Sequence, residues 1–212
     1  MKLLELFAGS RSVGNVADNL GFEVFSCDWQ PFKKINFVGD IENLTNNDIP
    51  FIPDVIWASP DCTTYSIAAI SHHRNNGKPK SEYAVKCDKV NNHFLDLIKY
   101  YLELNPDLVY FIENPRGYFR KMDFVNKFLD DTLGLRYTVW YCQYGDDRAK
   151  PTDIFTNSRS WIPIPQCKNG NINCHHEKAP RGSKNGTQGR KDSYNRSKIP
   201  YELCNEILKS VK

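Results

Sequence analysis

Short apolar runs of strand length recur along the chain, each bounded by glycine, proline or an acid. Leu3-Leu4-Glu5-Leu6-Phe7, Phe22 to Asp28, Pro53 to Ala58 and Pro106 to Ile112 read as strands, the last two as buried ones. Between and after them the spacing turns helical. Val16 to Gly21 ends on a glycine stop, Asn91 to Leu104 carries Phe94, Leu97, Ile98, Tyr101 and Leu102, and Met122 to Leu133 follows. Tyr137 to Tyr141 and Asp153 to Thr156 supply two further short strands. Strands alternating with helices predict an α/β fold with a mostly parallel sheet flanked by helices. From Pro163 to Lys198 no period is sustained. Pro200 to Val211 resumes as an amphipathic helix through Leu203, Ile207 and Leu208. Three parts follow: a core over 1–162, an irregular insert over 163–198, and a closing helix over 199–212 that packs back on the core.

Composition changes this picture little. The chain has 212 residues, 40% hydrophobic and 25% charged, ordinary for one globular domain. No apolar run approaches the roughly 18–20 residues of a membrane span, and the start resembles no signal peptide. Seven cysteines are scattered at odd spacing, which argues against a secreted disulfide framework and for a reducing cytoplasm. Charge is more telling. The net charge is +3, yet between Gln166 and Lys198 eight basic residues face only Glu177 and Asp192. That concentration is the footprint of a phosphate-contacting surface, with a solvated segment as the plainer alternative.

The candidate chemistry sits where strands end. Ser59-Pro60-Asp61-Cys62 leaves the strand at Ala58, at the sheet edge where open α/β folds bind ligands. A cysteine there is placed to act as a nucleophile, provided the site favours its thiolate; a buried structural cysteine is the alternative. Glu113-Asn114-Pro115 is delivered by its strand to the same edge. Phe7-Ala8-Gly9-Ser10 opens a small-residue turn before a helix, and Asp28 ends the next strand, an arrangement that suits a nucleotide or a plain structural turn. Ser71 to Ser81 is polar, with glycine and proline, and reads as a mobile loop or a solvated connector. Cys167, Cys174, His175 and His176 cluster in the insert, and Cys142 is able to join them; their spacing matches no standard zinc finger, so no metal is expected.

Together these stretches resemble the DNA cytosine-5 methyltransferase family, most of all its small phage-type members, over almost the whole chain. The resemblance implies a Rossmann-like fold and S-adenosylmethionine as cofactor. Leu6-Phe7-Ala8-Gly9 with Gly14 resembles the motif against the methionine part. Asp28 and Trp29 stand where the family has a ribose acid and an adenine-covering side chain. Gly39-Asp40-Ile41 resembles the adenine-amine motif. Ser59-Pro60-Asp61-Cys62 resembles the nucleophile loop, Glu113-Asn114-Pro115 the acid motif, and Arg148 the arginine that braces base and cysteine. Arg196-Ser197-Lys198-Ile199-Pro200 resembles the segment returning to the cofactor. On this likeness Phe7, Ala8, Gly9, Ser10, Asp28, Trp29, Asp40, Ile41, Pro60 and Ser197 hold the cofactor, and Cys62, Glu113 and Arg148 carry the chemistry.

Four departures stand out: Arg11-Ser12 in place of two glycines, Asp61 in place of a proline, Pro115 in place of a valine, as in phage-type members, and the absence of a large target-recognition domain. The basic insert takes that domain's place. Arg74, Lys78 and Lys80, with Lys178, Arg181, Lys184, Arg190 and Lys191, are the expected nucleic-acid contacts. The expected partner is double-stranded DNA with its target base flipped out, in the cytoplasm of a bacterial or phage-infected cell. Two other readings stay open: a catalytically silent relative that keeps fold and cofactor site, and an enzyme directed at RNA or a free nucleotide.

Overall fold

The computed structural model describes residues 1–168, 171–174, 176 and 193–212. β1 (Lys2–Leu6), α1 (Ser12–Asn19), β2 (Glu23–Asp28), β3 (Phe37–Val38) and β4 (Val55–Ala58) build the first half of the sheet. After β4 come α2 (Ile70–His73), the strands β5 (Arg74–Asn75) and β6 (Lys78–Pro79), and the long α3 (Glu82–Leu104). β7 (Val109–Pro115), α4 (Asp123–Asp131), β8 (Leu135–Trp140) and β9 (Pro151–Thr156) complete the sheet, and α5 (Ser193–Ser197) and α6 (Tyr201–Ser210) close the chain.

Seven strands lie in the order β3-β2-β1-β4-β7-β9-β8. The pairs from β3 to β7 are parallel, while β9 runs antiparallel to both neighbours. This is the α/β, Rossmann-like arrangement expected from the sequence, a mostly parallel sheet flanked by helices. Strand order reverses between β1 and β4, so their carboxyl ends open the crevice in which such sheets bind ligands. The core forms two layers. On one face α3 and α4 press Phe94, Ile98, Tyr101, Val125 and Phe128 against Leu4, Leu6, Ile56 and Ile112. On the other, Val13 and Val16 of α1 and Leu203, Ile207 and Leu208 of α6 cover Leu3, Val55, Trp57 and Phe111. Every residue of β4 is buried, because a parallel strand is covered on both faces; that is why it reads as a continuous apolar run. Each leucine α6 buries stabilises the fold by roughly 1.5–3 kcal/mol. No helix among the described residues is long and apolar enough to cross a membrane.

Two local expectations are corrected. α3 begins at Glu82, not at Asn91: Ser81 accepts a hydrogen bond from the Ala84 backbone as its cap, and Ala84, Cys87 and Asn91 extend the buried stripe with small or polar residues. The stretch Ser71–Ser81 is not an unpacked loop. β5 and β6 pair across Asn76 and Gly77, both left-handed (φ 48° and 82°), the geometry of a two-residue hairpin turn. Arg74, expected on nucleic acid, is buried instead. Its guanidinium donates to both oxygens of Asp88 (2.6 and 2.9 Å) and to the Thr64 carbonyl and hydroxyl, and it lies over the Tyr65 ring at 4.2 Å. Lys78 and Lys80 remain exposed. Lys178, Arg181, Lys184, Arg190 and Lys191 lie outside the described residues.

Candidate active site

The loops after β1, β4 and β7 meet around one cavity of about 710 Å³. Phe7, Ala8, Gly9 and Ser10 form one wall, Pro60, Asp61 and Cys62 a second, and Glu113, Lys150, Arg196 and Ser197 complete it. β1 and β4 are in register up to Leu6 and Ala58, and the Ser59 amide donates to the Leu6 carbonyl at 3.2 Å. The two loops therefore leave the sheet side by side. Parallel pairing fixes the distance between the turn and the cysteine.

Cys62 faces a shaped polar setting. Beneath it Tyr65 donates its hydroxyl to Asp88 (2.6 Å) and accepts from Asn91 (2.6 Å), so the buried Arg74–Asp88 pair clamps the loop from below. From the side, Asn114 Nδ2 donates to the Pro60 carbonyl at 3.1 Å. Burial pushes the Cys62 thiol up to about 11, and the carboxylates of Asp61 and Glu113 add to the shift while Lys150 opposes it. At neutral pH Cys62 is therefore a thiol. Asp61 itself turns outward, accepting from the Thr63 amide and from the Tyr83 hydroxyl at 2.7 Å.

Glu113 is buried, and its Oε1 accepts from the Tyr141 hydroxyl at 2.9 Å. The cation beside it is Lys150, whose Nζ stands 3.9 Å from the same oxygen and 4.5 Å from the centre of the Tyr141 ring. Arg148, expected there, does not line the cavity. It is buried with Nε and Nη2 on Asp146 (2.8 and 2.5 Å), and it donates to the carbonyls of Arg196 (3.1 Å) and Lys198 (3.4 Å). It thus grips the backbone on both sides of Ser197. Lys150 was missed in the sequence because β9 was not recognised as antiparallel. An antiparallel neighbour of β7 starts beyond the end of β7, with Pro115 opposite Thr152 and Glu113 opposite Ile154, so Lys150 enters at the cavity edge and its long side chain reaches back to Glu113. Asn114 stands in the acid motif, but its bond to Pro60 was not legible there, and Tyr141 was missed because it looks like an ordinary strand residue.

The cofactor wall is built differently. Phe7 and Arg11 are left-handed (φ 57° and 58°), as is Gly9 (φ 50°), which faces the Ser197 hydroxyl. Arg11, in place of a glycine, does not obstruct the turn. It folds behind it, donating to Ser26 Oγ and Asp18 (both 2.8 Å). Ser26 in turn donates to Glu5 at 2.7 Å, and Glu5 accepts from the Gly14 amide at 2.9 Å. A Cβ at Gly14 would stand 2.4 Å from Glu5, so this glycine is required for close approach. Burial pushes the Glu5 carboxyl up to about 7 despite these bonds and the charge of Arg11. The Ser12 hydroxyl accepts from the Ile199 amide at 3.2 Å, closing the C-terminal segment onto the turn.

The remaining expected cofactor residues lie outside this cavity. Asp28 accepts from the Gly9 amide (2.8 Å) with one oxygen and the Gln30 amide (2.9 Å) with the other, and each oxygen keeps a second lone pair. Trp29 is 70% exposed, Asp40 pairs with Lys86 at 2.6 Å, and Ile41 is buried in the core. In the insert the structure brings Cys167, Cys174 and His176 together with Cys142; His175 lies outside the described residues.

No protein-family model matches the chain, and no curated protein matches its sequence. Solved structures do. A methyltransferase of Entamoeba histolytica, EhMeth, superposes with a TM-score of 0.59 at 16% identity, over 79% of this chain and 57% of that one. The Dnmt2 methyltransferase of S. pombe gives 0.57 at 17% identity, over 77% and 53%. A triply substituted DNMT2 of Spodoptera frugiperda gives 0.54 at 21% identity, over 80% and 56%. The chain thus spans little more than half the length of these structures, and the likeness establishes the fold of a methyltransferase. The narrower likeness to small phage-type members has no counterpart among the three.

Proposed function

We propose that this chain is an S-adenosylmethionine-dependent methyltransferase acting on carbon 5 of cytosine in a polynucleotide, with DNA favoured by the likeness of its motifs. One observation carries the reading: nucleophile, acid, cation and small-residue turn line a single cavity. The turn fits the cofactor, since Ala8, Gly9 and Ser10 face the void; Asp28, outside the cavity, holds the turn through the Gly9 amide, and Trp29 stands exposed beside it in the chain. When bound, S-adenosylmethionine would supply the methyl group.

The residues of the chain do the rest. Cytosine carbon 5 is a poor nucleophile until Cys62 adds to carbon 6 and turns the ring into an enamine. Because the resting group is a thiol, its proton must leave as the base enters, and Lys150 provides the positive charge that favours this. Glu113, held by Tyr141, hydrogen-bonds the ring nitrogen and exocyclic amine and supports a proton there. Loss of the carbon 5 proton then expels Cys62. A base inside a duplex does not reach this cavity, so it must be flipped out. Lys78, Lys80 and the basic insert form the phosphate surface, and weak dependence on sequence is expected of contacts made by phosphate alone.

The test is trapping. Oligonucleotides containing 5-fluorocytosine, as DNA and as RNA, are incubated with the chain and S-adenosylmethionine. A denaturation-resistant adduct is expected with wild type and none with Cys62→Ala. An equal yield from Cys62→Ala would overturn the nucleophile. Adduct on RNA alone would move the substrate, and nucleoside mass spectrometry of the unsubstituted strands identifies the methylated base.

A further inference from the structure

Three cysteines and a histidine meet away from the Cys62 cavity. Cys142 belongs to the turn Tyr141–Tyr144 after β8, while Cys167, Cys174 and His176 come from the insert. One ligand atom from each lies within 4.8 Å of all the others. His176 Nδ1 is 3.2 Å from Cys174 Sγ and 3.8 Å from Cys167 Sγ. Those separations bracket the edges of a thiolate–imidazole zinc tetrahedron, about 3.6–3.8 Å. The Asn171 amide donates to Cys167 Sγ at 3.8 Å, as outer partners of zinc thiolates do. All three cysteines are free thiols.

We propose that Cys142, Cys167, Cys174 and His176 hold one zinc ion in a closed structural site that fastens the basic insert to the catalytic core. Four protein ligands fill the shell and leave no open position, and none of them lines the Cys62 cavity, so the metal has no part in the chemistry there. The insert needs such an anchor. Ile162, Ile164 and Ile172 are all exposed, so these apolar side chains at and within the insert do not pack it onto the core. A disulfide between any two of the cysteines would leave the third thiol and the imidazole without a purpose. The anchored turn carries Tyr141, which holds Glu113, and precedes Arg148, which grips both flanks of Ser197. Binding releases the thiol protons to solvent. The site stands whatever the substrate of the cavity.

The full chain, expressed in a reducing cytoplasm with zinc supplied, is weighed for metal by elemental mass spectrometry. One zinc per chain is expected. The double variant Cys167→Ser, Cys174→Ser should fall to background, and Cys87→Ala, outside the cluster, should retain full content. Because the double variant is free to misfold, wild type stripped by chelator is also titrated with cobalt(II), and the intense visible bands of tetrahedral thiolate cobalt should appear and saturate at one equivalent. Zinc no higher in wild type than in the double variant, or weak octahedral cobalt bands, would overturn the site. So would a Cys142–Cys174 disulfide found in the freshly purified chain.

Discussion

The turn after β1 and the loop after β4 leave adjacent strands, face the same cavity, and each carries a polar residue in place of a glycine or proline of the resembled motif. They are held by opposite means. The loop around Cys62 is clamped from outside by the Arg74–Asp88–Tyr65–Asn91 network and by Asn114. The turn around Gly9 holds itself, through left-handed backbone at Phe7, Gly9 and Arg11 and an ionic chain from Asp18 to Glu5. Arg11 is absorbed by partners behind the turn; burial drives the Glu5 carboxyl towards neutrality, although the charge of Arg11 favours its carboxylate. Asp61 is absorbed by Thr63 and Tyr83 beside the loop, and part of the cost falls on the Cys62 thiol. A motif departure is therefore to be judged by where the displaced charge is felt.

The largest expected effect breaks the outer clamp. Arg74→Ala leaves Asp88 partly buried without its cation and should destabilise the chain by roughly 3 kcal/mol in urea titration, since removing one partner of a buried pair costs more than the pair is worth. The salt dependence of nucleic-acid binding should stay unchanged, because Arg74 has no access to phosphate. A loss below about 1 kcal/mol would mean that the loop does not depend on this outer clamp.

Arg74 also shows what was legible in the sequence. Strands buried on both faces announce themselves as apolar runs, so β4 and β7 were visible, and with them the positions of Cys62 and Glu113. A buried arginine in a stretch of histidines, asparagines and lysines carries no such mark, because only tertiary pairing with Asp88 takes it out of water. The Asn76-Gly77 turn was a local signal for the hairpin, obscured by the polarity around it. Lys150 in place of Arg148 illustrates a different limit. Two cations stand two residues apart in one hinge, and tertiary partners separate them: Asp146 and the carbonyls of Arg196 and Lys198 hold Arg148, while Lys150 reaches Glu113. The metal cluster joins Cys142 to residues far along the chain, a pairing that spacing does not specify.

The second effect tests the self-held turn. The folded chain binds the Glu5 proton more tightly than the unfolded chain does. Its stabilising contribution is complete below about pH 4.5 and is lost as the pH rises through about 7. Wild type should therefore lose on the order of 2–3 kcal/mol across that window from this group, a loss that Glu5→Gln should remove. Urea midpoints measured at intervals across the window decide it. Parallel pH profiles for the two proteins would mean that Glu5 is fully ionised behind the turn, and the contrast between the two regions would lose its energetic basis.

The smallest effect concerns the nucleophile alone. Burial is the main reason the Cys62 thiol lies near 11, and Asp61 is the next. Asp61→Asn removes the charge but keeps an oxygen for the Thr63 amide, so the loop should hold its shape. Alkylation of Cys62 by iodoacetamide, followed by peptide mass spectrometry, reports the thiolate fraction directly. In wild type the rate should climb with pH up to about 11; in Asp61→Asn the same curve should sit at lower pH, displaced by less than the whole shift because burial and Glu113 remain. The variant should then react faster at neutral pH with small electrophiles, while the adduct with 5-fluorocytosine rises less, since there the thiolate forms only as the base enters. Coincident alkylation curves would show that the outward turn of Asp61 screens its charge completely from Sγ. In that case the loop after β4, like the turn after β1, would carry its departure without cost to the carboxyl or thiol beside it.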